Sequence, residues 1–430
     1  MFLLSSKTAK QTALALGLSA LTLTAPAADW PQYLGPTRNA VAPEKGLART
    51  WPAEGPKVLW TIPLGEGFGA PAVYGGFIYI LDRVGADKDV ARCLDLATGQ
   101  EKWRAEYEAK GGNLGGFPGS RQTPTVDEQH VYTVGGYGHV KCFDRASGKE
   151  VWAADLQKDF GTRLPMWGFA QSPVLYGNTV ILAAQSPQAG VVALDKNTGQ
   201  AAWKSEALPG GAGYVALTLT TVAGMDQVVA VSAGDRGPKG AVCGFDAKTG
   251  KKLWSYDGWQ CKIPIPPVTP VGDGRFFITG EYGANSAMIQ VTKEGDTFAA
   301  KELFKTDKCE SQIHPPILYK DHLYANSNGN SRADGMICLD LQGNLKWKTD
   351  KNPNFEKGGI LFADGLIYNM EGNNGTLHLI EPNPEGYKEL AKAKVLNGKE
   401  RMWAPLVLVD GKLLVRSQEE MKCLDVKAAQ

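Results

Sequence analysis

The stretch Asp95-Leu-Ala-Thr-Gly-Gln-Glu-Lys-Trp103 decides the reading of this chain, because it returns as Asp144 to Trp152, Asp195 to Trp203 and Asp246 to Trp254. The shared pattern is Asp-x-x-Thr/Ser-Gly-x-x-x-Trp, with tryptophans 49, 51 and 51 residues apart. A fifth copy, Asp340 to Trp347, is one residue shorter, and Leu424-Asp425 begins another. A fixed period of about 50 residues marks a repeat architecture. Asp and Thr can bond nearby backbone N–H groups and Gly can take positive φ, so the phrase reads as a tight turn. An alternating apolar stretch such as Val140-Lys-Cys-Phe143 precedes it and a short stretch ending in Trp follows, giving strand, turn, strand. The turn aspartates are structural on this reading, not a set of catalytic acids.

Working outward, seven units begin near Ala70, Thr123, Ser172, Leu217, Pro267, Pro316 and Ile360, and most open with a hairpin such as Ala72-Val-Tyr-Gly-Gly-Phe-Ile-Tyr-Ile. The units near Pro267 and Ile360 lack the phrase and rest on hairpin pattern alone. Strands from Ala404 to Asp425 lack a fourth partner, which Gly55-Pro-Lys-Val-Leu-Trp60 supplies from the other end of the chain. The expected fold is therefore all-β: an eight-bladed β-propeller of four-stranded antiparallel blades, closed by pairing of the N-terminal strand with the C-terminal blade, which leaves no unpaired edge. The organisation is residues 1–27 as a signal peptide, 28–56 as an irregular Pro-rich lead-in, and 57–430 as the propeller. No stretch carries the length and period of a substantial helix.

Lys7 and Lys10, the apolar run Thr12 to Leu23 and the small residues Ala25-Pro26-Ala27 are the parts of a cleavable signal, so export to the periplasm or beyond is expected. No cysteine is placed for lipid attachment there, and no second span follows. A formal charge of +1 over 430 residues gives no field for nucleic acid. Five of the seven cysteines (Cys93, Cys142, Cys243, Cys338, Cys423) precede the turn Asp in successive units, so they read as buried thiols too far apart to pair. Cys261 and Cys309, in connectors ahead of Pro-Pro pairs, leave a disulfide open. No Cys-x-x-Cys or His-x-His spacing supports a metal site.

The repeat resembles the bacterial PQQ-type (pyrroloquinoline quinone) propeller repeat over residues 57–425, and the lead-in Asp29-Trp-Pro-Gln-Tyr-Leu-Gly-Pro-Thr-Arg-Asn is similar to the opening of secreted members of that group. The resemblance implies the fold and two kinds of relative: quinoprotein alcohol dehydrogenases, and the non-enzymatic propeller of the outer-membrane protein assembly machinery. This chain has no adjacent Cys-Cys pair, and the calcium-binding Glu and Asn and the catalytic Asp of the dehydrogenases match no motif here. No catalytic or metal residue is therefore assigned, and no cofactor is expected, although the resemblance admits PQQ with calcium.

In such a ring the connectors from fourth strand to next first strand, and from second to third, share one face. Long loops there (Asp82 to Val90, Ala233 to Gly240, Asn326 to Gly335) contrast with short turns such as Gly75-Gly76 and Asp364-Gly365 opposite, so function is expected at the long-loop face. Residues just before each first strand should ring the channel mouth: Phe68, Arg121, Gln122, Trp167, Gln171, Tyr214, Lys262, Gln312, His314, Lys357, Arg401 and Trp403, with Phe169 among them. Aromatic and cationic groups together suit a planar or anionic ligand. The expectation is an exported, monomeric, non-catalytic propeller that binds an envelope protein or a small-molecule ligand through this face; the alternative is a PQQ- and calcium-dependent oxidoreductase of the alcohol or sugar dehydrogenase type.

Overall fold

The computed structural model describes Met1 and residues 29–117, 119–234, 237–398 and 401–429; the signal-peptide expectation lies outside the described residues. Eight antiparallel sheets form the ring. Blades 1 to 7 span 72–108, 125–155, 174–204, 218–256, 269–306, 317–348 and 360–394. Blade 8 joins the three strands of 407–425 to Lys57–Pro63, which pairs antiparallel with Glu420–Asp425. Among the described residues the α-helical content is one short helix, Leu156–Phe160, and no helix is long and apolar enough to cross a membrane.

Where it occurs, the repeated phrase shapes the outer hairpin of its blade and packs it against the next. Asp95 Oδ1 accepts from the N–H groups of Ala97 and Thr98 and from the Thr98 hydroxyl, and Gly99 takes φ +73°. A β-bulge then lies between Glu101 and Trp103, so that Trp103 faces Cys93 across the ladder. Bulges re-aim a side chain, and here they aim the indole at the neighbouring blade, where Trp103 Nε1 donates to the Arg145 carbonyl at 3.0 Å. Trp60, Trp152 and Trp347 repeat the contact. The cysteine periodicity follows from the same bulge: Cys93, Cys142, Cys338 and Cys423 each stand opposite a tryptophan, where a small apolar side chain fits. Burial pushes the Cys93 thiol up to about 11. Cys261 and Cys309 are not joined; Cys261 Sγ lies 3.7 Å from the Glu281 carbonyl and Cys309 Sγ 3.7 Å from the Thr279 hydroxyl.

Blades 5 and 7, which lack the phrase, still have four strands. In blade 5 a long hairpin of Ser286–Glu294 and Thr297–Thr306 takes its place, and Phe304 stands where a tryptophan would, against Gly343 of blade 6.

The lead-in is more than a tail. Asp29 bonds the Gly75 turn, Trp30 pairs with Val73 of blade 1, and the Pro31 carbonyl accepts from Val126 of blade 2. Leu34 and Ala40 pack with Ile317 of blade 6 and Ile360 of blade 7, and Val41–Ala42 runs parallel to Ile360–Ala363 as a fifth strand on the inner edge of blade 7. Glu44 then holds the Asp410–Gly411 turn. Residues 29–44 thus start and finish at short turns of one face and fill the channel between, sealing that end. The chain reverses through positive φ at Leu34, Gly35, Arg38 and Ala40, and Gly35 is pressed so closely on Trp30 that a Cβ would sit 2.9 Å from the indole.

Candidate binding cup at the long-loop face

With one end plugged, the channel becomes a cup of about 360 Å³, within the range of small-ligand sites. Its lining comes from the connectors ahead of first strands, as the topology requires. Phe68, Arg121, Trp167, Tyr214, Gln312, His314, Lys357 and Trp403 all border it. The other five expected residues do not. Gln171 points away and clamps the Ala183 backbone, donating to its carbonyl at 2.7 Å and accepting from its N–H at 2.6 Å. Gln122 is buried outside the lining. Lys262 and Arg401 are exposed, and Arg401 lies over the Phe117 ring at 4.6 Å. Phe169 is buried in the core between blades 2 and 3. Successive residues of an extended segment face opposite ways, so Arg121 and Ala170 turn inward while Gln122 and Gln171 turn outward.

Several lining residues were not anticipated: Tyr33 from the plug, Phe117, Tyr282, Asn330, and the apolar Ile263 and Ile265. Alternation in Ile263-Pro-Ile265 was a usable signal; Tyr33 had none. Two of the expected long loops are instead hairpin extensions, since strands Phe77–Val84 and Lys88–Asp95 leave only three residues between them and His322–Asn328 and Ala333–Asp340 only four. The first is stiffened by a buried ion pair, Arg83 to Asp89 at 2.7 Å.

Ring stacking organises one wall. Phe68 stacks on Trp403 with centroids 5.5 Å apart and 27° between planes, and Phe117 closes the group at 5.8 Å from Phe68. Opposite charges fix Trp403: its indole N–H donates to Glu356, whose other oxygen holds the Lys357 ammonium at 2.8 Å over the indole face. Trp167 meets Tyr214 edge-on at 5.7 Å, and a Cβ on Gly115 would come within 2.5 Å of that indole. His314 Nε2 is 2.9 Å from the Trp403 carbonyl, and burial pulls its pKa down to about 4, so the ring is neutral at pH 7. Arg121 lies 5.9 Å from the Phe68 ring, and burial lowers its guanidinium to about 10, still protonated.

The cup can therefore grip flat apolar groups and offer positive charge. Among the described residues no Asp or Glu lines it, and no three His, Cys, Asp or Glu side chains are grouped to hold a metal. Calcium takes six to eight oxygen ligands, normally including carboxylates, so this donor set does not fit a calcium-bound quinone.

The repeat and the ring define a PQQ-like β-propeller. The family model described as outer membrane protein assembly factor BamB matches residues 86–349, well over half of the chain, and the chain belongs to that family. Solved structures share the fold at low identity. Quinohemoprotein alcohol dehydrogenase from Comamonas testosteroni is 14% identical, with 94% of this chain and 81% of that chain covered and a TM-score of 0.65. BamB from Moraxella catarrhalis is 15% identical over 87% of this chain and 98% of its own, with a TM-score of 0.61. A computationally designed protein, Ika8, reaches 0.60 at 13% identity, covering 86% of this chain and 100% of its own. An enzyme, an assembly factor and a design share this likeness, so it speaks for the fold alone. No curated protein matches the sequence.

Proposed function

We propose that this chain is an exported, non-catalytic binding propeller that holds a ligand, or a group presented by an envelope partner, in the cup of its long-loop face. The observation that carries this reading is the cup itself: one end sealed by residues 29–44, walls of stacked rings, and cations with no carboxylate in the lining among the described residues. Residues 1–27 serve as the export signal, 28–56 as the lead-in, and 57–430 as the propeller. The family's description as an outer membrane protein assembly factor supports an envelope setting and a protein partner.

The other reading, a PQQ- and calcium-dependent oxidoreductase, finds a precedent in the dehydrogenase that shares the fold, but the donor set argues against it. The test is a titration of the full chain with PQQ, with and without calcium, followed by tryptophan fluorescence and dye-linked alcohol oxidation. No calcium-dependent saturation and no turnover are expected. Calcium-dependent PQQ binding, with turnover that disappears in Arg121→Ala, would establish the enzyme instead.

A further inference from the structure

The cup has two incompletely matched polar groups on opposite sides of its axis. Arg121 precedes blade 2 and Gln312 precedes blade 6, four blades apart in a ring of eight. Among the described residues the Arg121 guanidinium donates only to main-chain carbonyls: Gly119 at 2.9 Å, Leu114 at 3.2 Å, and Phe117. Among the described residues none forms an ion pair with it, and Asp89, whose charge reaches it, is committed to Arg83. Lys357 differs, being already neutralised by Glu356. One cation thus borders an apolar cup without a counter-ion, an arrangement that favours one negative charge and disfavours several.

Across the axis, Gln312 donates Nε2 to the Tyr282 hydroxyl at 2.9 Å, while its Oε1 is buried with no hydrogen-bond partner among the described residues. A buried amide with one end unmatched is destabilising, and a hydroxyl reaching it would relieve that. Between these groups the wall is made of rings.

We infer that the cup takes a planar aromatic monocarboxylate with a hydroxyl at the end remote from its acid, the carboxylate meeting Arg121 and the hydroxyl meeting Gln312. This rests on the reading of the cup as a ligand site. The aromatic body supplies apolar area and stacking against Phe68 and Trp403, while the two polar contacts fix its orientation.

Calorimetric titration of the full chain with 4-hydroxycinnamate, its methyl ester, cinnamate and tyramine tests it. The hydroxy acid should saturate one site; the ester and the cationic tyramine should bind roughly tenfold or more weakly, and cinnamate several-fold more weakly. Arg121→Gln should bring acid and ester close together, and Gln312→Leu should erase the advantage of the hydroxyl. If Arg121→Gln does not fold, the acid-to-ester ratio on the unmodified protein decides alone. Equal binding of acid and ester overturns the assignment of charge yet leaves the cup a ligand site. No binding of acid, ester or amine overturns both.

Discussion

The indole of Trp103 in blade 1 occupies the place where a side chain on Gly148 of blade 2 would begin: a Cβ there would lie 2.5 Å from the ring. The same relationship joins Trp60 to Gly99, Trp152 to Gly199 and Trp203 to Gly250. The Gly and the Trp of the repeated phrase are therefore partners across blades rather than within one, which explains why the two are kept together through successive units.

Gly148→Ala should be far more harmful than Gly76→Ala. Both glycines have positive φ, +72° and +80°, but nothing lies within 4 Å of a Cβ on Gly76. The backbone term, about 1–2 kcal/mol, is common to both; Gly148→Ala adds an overpacking penalty of about 1–3 kcal/mol. Urea unfolding of the two variants side by side measures the difference.

Trp30→Ala should show that the plug belongs to the fold. The side chain is 1% exposed, and truncating a buried tryptophan costs about 3–5 kcal/mol. A lower Tm should accompany faster proteolysis within residues 29–56, whereas a change in one without the other would separate the plug from ring stability.

His314 should make the protein lose stability as pH falls from about 6.5 towards 4. Burial lowers its pKa to about 4 in the folded chain, so over that window the unfolded chain takes up a proton that the native state refuses. The loss is up to about 1.4 kcal/mol per pH unit. His314→Asn should flatten this part of a plot of urea midpoint against pH.

A second acid-sensitive element lies in blade 7. His378, 1% exposed, sits between Glu371 at 2.8 Å and Glu389 at 2.7 Å. The hydrogen bond from His378 leads in holding the Glu371 carboxyl below its ordinary value; at Glu389 burial opposes, and bonds from His378, Tyr387 and Lys392 outweigh it. Depressed carboxylates contribute stability that is present above the unfolded value, about 4.3, and lost as pH falls through the lower folded values. Glu371→Gln should therefore be less stable than the parent at pH 7, with the difference shrinking as pH falls below the ordinary carboxylate range, as read from thermal melts.

The ring was legible in the sequence because its determinants recur. Asp95, Gly99 and Trp103 come back in later units, and even the free-standing strand at Trp60 could be assigned by its match to the phrase. Phe304 was not legible, since a single aromatic replacing a tryptophan in a unit without the phrase has nothing to be compared with. The cup divided in the same way. Topology put Arg121 and Trp403 at the mouth, but which of two adjacent residues turns inward depends on the local register, and this took Gln122 and Gln171 out of it. Tyr33 reaches the cup through a loop whose contacts with blades 1, 2, 6 and 7 follow no period.

That loop also fixes when in the life of the chain the cup can exist. Its floor comes from residue 33 and its last wall from Trp403 and Pro405, while the lead-in pairs with residues 426–428 through the Ala48 N–H to the Val426 carbonyl and the Ala428 N–H to the Gly46 carbonyl. A nascent chain lacking its final blade has no closed ring, and its cup lacks the wall supplied by Trp403 and Pro405. Whatever enters the cup meets a finished molecule, and its binding energy falls entirely on the closed form, so an occupant would act as a latch on a ring whose two ends were made at opposite moments of synthesis.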